Sequence, residues 1–140
     1  MSWRRLLLLA QAYVRQNELA LAKDTYRRLL EVAPDSPDGL QQLAVLYAGN
    51  KEYAEAESLL RKRLGKQPDD LIASGRLVEI LMAQGQPAKA EEEARRMQAL
   101  TNQTGVGDFS LGRVLAQQKD YEGAADAFKT FLGFQTGEGG

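Results

Sequence analysis

The sequence predicts an all-α fold, built as a solenoid of repeated helix-turn-helix units. Apolar residues recur at helical spacing, and the pattern returns in register in four units of equal length, 3–36, 37–70, 71–104 and 105–138. Proline, glycine and capping residues fall between the segments that the pattern marks as helices. The 140 residues are roughly one domain's worth. We therefore predict a single domain over residues 3–138, with a flexible glycine-rich tail at 135–140.

The first unit predicts helices near residues 3–16 and 19–32. Its apolar residues share one face of each helix, at Leu6, Leu9, Ala10 and Tyr13 and then at Ala22, Tyr26 and Leu29. Ser2 can cap the first helix, and Ser36 precedes Pro37, which suits the first position of the next helix. Start and stop signals thus stand where the period requires them.

The second unit predicts helices near residues 37–49 and 53–66. The matching positions are Leu40, Leu43, Ala44 and Tyr47 on its first helix and Ala56 and Leu60 on its second, with Pro68 near the end. Each helix pair carries an apolar stripe that it cannot bury alone. Stacking of four units buries these stripes, at about 1.5–3 kcal/mol per fully buried Leu or Tyr side chain.

The third and fourth units predict helices near residues 71–84, 87–100, 106–118 and 121–133. The residues that keep the spacing are Leu77, Leu81, Ala90 and Met97 in the third unit and Leu111, Gly112, Tyr121, Ala124 and Phe128 in the fourth. The segment 101–107 between these units is polar, contains two glycines and lacks proline. We expect the most flexible joint there.

This spacing resembles that of the tetratricopeptide repeat, which has a large apolar residue, Leu, a small residue and Tyr on one helix, then Ala, an aromatic residue and Pro on the next. The resemblance covers residues 3–138. It implies a right-handed superhelix with one concave groove, and a scaffold that binds other proteins rather than an enzyme.

Two units depart from the family pattern. In the second, Arg63 stands where a small residue is expected, and an unpaired buried charge costs several kcal/mol, so we expect its charged head at the rim. In the third, Ser74 replaces the bulky first residue, Ala94 the aromatic residue and Asn102 the closing proline. We predict that the third unit is the most loosely specified packing layer.

The first helix of each unit lines the concave face in this family, so the resemblance implies a protein-binding groove there. The residues that it places in the groove are Leu7, Gln11, Arg15, Gln41, Gln42, Val45, Ile72, Arg76, Glu79, Met82, Phe109, Arg113 and Gln117. Apolar side chains alternate with amides and arginines, a surface suited to a peptide or protein segment.

Chaperone-binding members of the family hold a C-terminal carboxylate with lysine, asparagine and arginine side chains in this groove. At the matching places the chain has Leu7, Gln11, Gln42, Ile72 and Arg76. Because both lysines are absent, we do not expect a carboxylate clamp.

Composition argues against several other functions. The chain has no cysteine and no histidine, which removes the thiolate, the commonest metal ligand and the commonest general base. We therefore predict no catalytic residue, no metal site and no cofactor. The formal net charge is −1 and no basic stripe emerges, so we do not expect nucleic acid as a partner.

The start of the chain imitates a targeting segment. Arg4 and Arg5 precede the apolar run Leu6–Ala10, which is too short for a signal peptide or a membrane span. We expect no direct membrane insertion by this segment. The Gln-, Ala-, Leu- and Arg-rich sequence is similar to bacterial envelope scaffolds of the family, such as those of exopolysaccharide secretion or pilus assembly, and cytoplasm and periplasm both stay open.

A second interpretation is a structural module that packs end to end with copies of itself or with further repeats of a longer parent. Phe131, Leu132 and Phe134 follow the last matching residue, and no further amphipathic helix follows to cover them. We predict a possible end-to-end contact there, which would make the chain a homo-oligomer.

Overall fold

The computed structural model describes residues 2–100 and 105–136, with side chains through residue 133. Within these ranges the chain forms eight α-helices and no strand, so the all-α helical repeat fold is confirmed. The helices are α1 (Trp3–Arg15), α2 (Leu19–Val32), α3 (Pro37–Gly49), α4 (Tyr53–Lys66), α5 (Leu71–Ala83), α6 (Pro87–Leu100), α7 (Val106–Gln117) and α8 (Tyr121–Thr136). Every predicted helix start agrees with the structure.

Short polar side chains cap the first helices of three repeats. Ser2 accepts a hydrogen bond from the backbone N–H of Arg5 at 3.4 Å, and Ser36 accepts one from Gly39 at 3.1 Å. Asp70 does the same for α5. Each cap satisfies an N–H that has no partner inside its helix, which is why these helices begin where the sequence predicts.

The first helix of every repeat ends in the same left-handed turn. Positive φ angles recur at the same place in each repeat, at Asn17, Lys51, Gly85 and Lys119. The following residue donates its backbone N–H to a carbonyl five residues earlier in each case, with distances of 2.8–2.9 Å. This is the Schellman arrangement, and it turns the chain from one helix of a pair to the other. Glycine fills only one of the four left-handed positions.

The chain divides into two compact units, residues 1–66 and 67–140. In the first, α1 packs on α2, α2 on α3 and α3 on α4, around the buried side chains of Leu6, Tyr26, Leu29 and Leu43. In the second, α7 packs on α5, α6 and α8, and the core includes Leu77. The single-domain assignment and the right-handed superhelix stay predictions.

Two glycines mark the places where the second helix of one repeat meets the first helix of the next. A Cβ atom at Gly39 would lie 2.7 Å from Cδ2 of Leu29, and one at Gly107 would lie 2.3 Å from the Cα atom of Gln98. Each glycine is the third residue of its repeat. The third residue of the first repeat is Arg5, which is exposed.

Polar contacts hold the helices of the third repeat where the family's bulky residues are missing. Ser74 is fully buried and accepts a hydrogen bond from Nη2 of Arg96 at 2.7 Å, while Nη1 of Arg96 donates to the carbonyl of Pro68 at 2.7 Å. The hydrogen bond to Glu93 raises the pKa of Arg96, so the guanidinium stays charged. Arg96 thus ties the buried Ser74 hydroxyl of α5 to α6 by a hydrogen bond, at a position where the first two repeats have leucine.

Gln98 makes the corresponding contact on the other side of α6. Its Nε2 donates to Oδ1 of Asp108 at 2.7 Å, and Asp108 is only 3% exposed. Like Ser74, Asp108 stands at the fourth position of its repeat, where the family has a bulky residue. The second helix of the third repeat is thus bonded to the first helices of two repeats.

The end of α8 differs from the prediction. The helix continues to Thr136 rather than stopping at residue 133, because Phe131 anchors it one turn earlier and Gly133 costs a helix only about 1 kcal/mol. Residues 135 and 136, predicted to open the tail, belong to α8, and residues 137–140 lie outside the described chain. Most of the joint predicted at residues 101–107 also lies outside it.

Candidate functional site

The predicted groove residues of the compact unit 1–66 lie on α1 and α3. Gln11, Arg15, Gln42 and Val45 are exposed, whereas Leu7 and Gln41 are half-buried. The surface is therefore open to solvent over most of the positions that the resemblance assigned to it. A single groove across both units stays a prediction.

In the compact unit 67–140 the structure brings groove residues of α5 and α7 into direct contact. Nη1 of Arg113 lies 3.4 Å from Oε1 of Glu79, and Nε2 of Gln117 donates to the carbonyl of Met82 at 3.3 Å. The guanidinium of Arg113 also lies 6.0 Å from the centre of the Phe109 ring. These contacts link the two helices on this face.

Arg76 and Ile72 complete the α5 side of this face. Ile72 is 60% exposed, and Arg76 is half-buried. The Nε atom of Arg76 is buried and finds no hydrogen-bond partner in the part of the chain that the structure describes. A guanidinium that has no carboxylate paired with it among the described residues keeps N–H donors for an acceptor supplied from outside.

We call the residues Ile72, Arg76, Glu79, Met82, Phe109, Arg113 and Gln117 the α5–α7 face. It combines exposed apolar area, one internal ion pair and one arginine without an ion-pair partner among the described residues. Such a surface can bind apolar side chains and hydrogen-bond to peptide carbonyls. It offers no pair of groups arranged for proton transfer or nucleophilic attack.

The compact unit 1–66 contains an open cleft that the sequence did not predict. The cleft has a volume of about 390 Å³ and is lined by Leu19, Ala20, Lys23, Val45, Leu46, Gly49 and Asn50, from the start of α2 and the end of α3. Lys23 donates to Glu52 at 2.7 Å, and Asn50 donates to the same carboxylate. These bonds hold the pKa of Glu52 below its usual range.

At the matching place between α6 and α7, a longer amide bonds across the two helices. Gln118 stands two repeats after Asn50, and its Nε2 donates to the carbonyl of Pro87 and to Oε1 of Glu91, each at 3.1 Å. Asn50 has one methylene fewer and turns instead to Glu52. The two amides thus bond to different partners, a difference that the helical spacing does not reveal.

Of the residues predicted to form the end contact, one packs inside the chain and one is exposed. The ring of Phe131 lies 5.1 Å from that of Phe109 and is half-buried, whereas Leu132 is 56% exposed. The side chain of Phe134 lies outside the described residues. Phe109 thus belongs to the α5–α7 face and also anchors α8.

Within the described ranges, no helix combines the length and apolar character needed to cross a bilayer. Nor do the described acidic side chains form a group of three or more that could hold a metal ion.

Helix pairs that repeat at a constant period with an exposed first-helix face define the class of helical-repeat scaffolds. Two models of the tetratricopeptide repeat match the sequence, one over residues 3–46 and the other over residues 47–104. The chain belongs to the tetratricopeptide repeat family. It is a protein–protein interaction scaffold at this level of description, and proteins of the family are in general not catalysts.

Several solved structures share the fold. MamA residues 41 to the end from Desulfovibrio magneticus RS-1 superpose with a TM-score of 0.81 at 16% identity, covering 99% of this chain and 78% of that one. MamA MSR-1 superposes with a TM-score of 0.77 at 21% identity, covering 97% of this chain and 78% of that one. MamA AMB-1 superposes with a TM-score of 0.76 at 23% identity, covering 94% of this chain and 78% of that one. At these identities the likeness shows the fold alone. No curated protein matches the sequence.

Proposed function

We propose that the chain is a non-enzymatic scaffold whose α5–α7 face binds a peptide or protein segment. Nucleic acid, metal ions and cofactors have no part in this function. The partner segment would place an apolar side chain against Ile72 and Phe109 and an acceptor oxygen beside Arg76.

One observation carries the proposal. The Nε atom of Arg76 is buried without a hydrogen-bond partner among the described residues, although the exposed Ile72 stands one turn earlier on the same helix. A buried donor left without an acceptor costs about 1–3 kcal/mol. A bound segment that supplies a carbonyl or carboxylate can remove this cost when the Arg76 side chain turns to meet it, because the Nε atom is enclosed in the free chain.

Displayed random peptides selected on the 140-residue chain provide the probe. We expect the selected peptides to lose at least about tenfold in affinity, measured by fluorescence anisotropy, when Arg76→Gln and Arg113→Gln are combined. Glutamine keeps part of each stem, and both residues reach solvent, so the melting temperature should stay close to that of the wild type.

Arg95→Gln is the matched control, because Arg95 is an exposed arginine of the same unit that pairs with Glu91 on α6. Peptides that tolerate the Arg76 and Arg113 changes but are lost on changing Arg61 and Lys62, on the exposed side of α4, would show that the binding surface lies elsewhere.

A second candidate function, assembly through the C-terminal end, is favoured by the exposure of Leu132. It concerns a different surface from the α5–α7 face, and the two functions can coexist.

A further inference from the structure

α8 exposes an apolar stripe at the edge of the side that earlier repeats use for stacking. The stripe consists of Tyr121, Ala125 and Leu132, with Tyr121 67% and Leu132 56% exposed. These residues lie within about 40° of one another around the helix, since each residue advances the direction by about 100°. We call them the α8 stripe.

Comparison of the repeats shows what this side of the helix does elsewhere. Leu29 and Leu30 of α2 lie against Gly39, and Met97 and Gln98 of α6 lie against Gly107. The residues of α8 that stand one repeat period after Met97 and Gln98 are Phe131 and Leu132. The α8 stripe therefore lies at the edge of the surface on which a following helix would pack.

The α1 helix of a second copy is a poor occupant. Close stacking requires a small third residue in the receiving repeat, because the added Cβ atoms at Gly39 and Gly107 already collide with the neighbouring helix. The third residue of α1 is Arg5. This long charged side chain stands where two of the other repeats have glycine, which disfavours head-to-tail growth in the manner of those repeats.

The charges beside the stripe instead complement those of a second α8. Glu122 and Lys129 are exposed, stand two helical turns apart and so lie on the same flank of the stripe. Neither has an ion-pair partner among the described residues. In an antiparallel pair related by a two-fold axis, the flank meets its own copy in reverse order, which brings Glu122 of each chain beside Lys129 of the other.

We propose, developing the assembly candidate above, that two copies of this chain associate through antiparallel packing of their α8 stripes. Ala125 lies near the two-fold axis, where a small side chain allows the helices to approach, and Tyr121 of one copy covers Leu132 of the other. The contact is isologous and closes on itself, so it yields a dimer rather than a filament.

Charge exchange tests both the surface and its symmetry. Sedimentation equilibrium of the 140-residue chain should show a dimer that dissociates on dilution. Glu122→Lys and Lys129→Glu should each weaken association about tenfold, because the two-fold axis converts two attractive pairs into two repulsive ones. The double exchange, Glu122→Lys with Lys129→Glu, should restore the affinity of the wild type.

Leu132→Glu should abolish the dimer while leaving the circular dichroism spectrum unchanged, since Leu132 is exposed; Phe131 is unsuitable because it packs on Phe109. Glu92→Lys, the same charge change at an exposed site on α6, is the control and should leave the dimer intact.

Three results would overturn the proposal. A chain that stays monomeric at high concentration leaves the stripe without this occupant and favours a partner protein or a further repeat. If Lys129→Glu strengthens association while Glu122→Lys weakens it, the partner surface is basic and is not a second α8. Failure of the double exchange to restore affinity excludes the two-fold pairing. Peptide binding at the α5–α7 face should survive Leu132→Glu, so the two proposals fail separately.

Discussion

At the scale of single residues, the structure separates glycines that the packing requires from those that it does not. Gly107 stands where α7 approaches α6, and Gly75 stands inside α5 with no heavy atom within 4 Å of an added Cβ. The same substitution should therefore have opposite effects on stability at these two positions.

Gly107→Ala should lower the free energy of unfolding by about 3 kcal/mol or more, because its Cβ would collide with backbone atoms that cannot move independently. Gly75→Ala should raise it by about 0.5–1 kcal/mol, since alanine is the better helix former. Urea denaturation followed by circular dichroism measures both. Equal effects of the two substitutions would contradict the close approach of α6 and α7.

The Glu52 carboxylate provides a prediction about pH. The hydrogen bonds from Lys23 and Asn50 lower its pKa in the folded state below the value of the unfolded chain. The pair therefore stabilises the fold fully above the unfolded pKa, and this stabilisation is lost as the pH falls through the folded pKa. Stability should decrease on acidification for this reason.

Lys23→Met tests the assignment. NMR titration should show the Glu52 carboxylate titrating at a higher pH in the variant than in the wild type, because the largest cause of the lowered pKa is gone. Lys62→Met, the same change at an exposed site of α4, is the control and should leave the Glu52 titration unchanged. An unchanged Glu52 titration in Lys23→Met would argue against the bond to Lys23.

At the scale of the helices, the sequence predicts where elements begin better than how they are joined. Ser36 before Pro37 is a local signal, and the predicted start of α3 agrees with the structure. The Arg96–Ser74 and Gln98–Asp108 contacts could not be found in this way, because the partners are 22 and 10 residues apart and belong to different helices. A polar residue at a position reserved for a bulky one was the only available signal.

The left-handed turns between paired helices give the prediction that belongs to this scale. Lys51 and Lys119 adopt φ angles of 61° and 66°, which cost a residue with a Cβ atom about 1 kcal/mol relative to glycine. Lys51→Gly and Lys119→Gly should each raise the free energy of unfolding by about that amount, and Gly85→Lys should lower it similarly.

Lys62→Gly is the control for these substitutions. Lys62 lies within α4, away from any left-handed turn, so glycine there should destabilise by about 1 kcal/mol. Thermal unfolding of the four variants ranks them. Destabilisation by glycine at both left-handed positions would contradict the Schellman geometry.

At the scale of the whole chain, the fold class follows from periodicity, but the binding surfaces do not. The constant repeat period identified the family and the helix pairs, because stacking imposes the same spacing on each repeat. Surfaces depend on which side chains find partners inside the molecule. The sequence pattern assigns Arg76 and Arg113 to the same groove, yet Arg113 lies beside Glu79 while Arg76 has no such partner among the described residues.

Charge is also distributed unevenly along the chain, although its total is close to zero. Residues 1–66 contain 11 basic and 8 acidic side chains, a net charge of +3, and residues 67–140 contain 7 and 11, a net charge of −4. Together they give the formal −1 of the sequence. Salt should therefore affect association more than the overall charge indicates, since exposed charges are screened over about 10 Å at 0.1 M ionic strength.

The arginine at the third position of α1 also has a consequence for anyone who wishes to lengthen this protein by design. New helix pairs can be fused after α8, where the apolar surface is ready to receive a helix that begins with a small residue. Fusion in front of α1 would first need Arg5→Gly, to recreate the contact seen at Gly39. An engineered array built from these helix pairs should therefore be easier to extend after α8 than in front of α1.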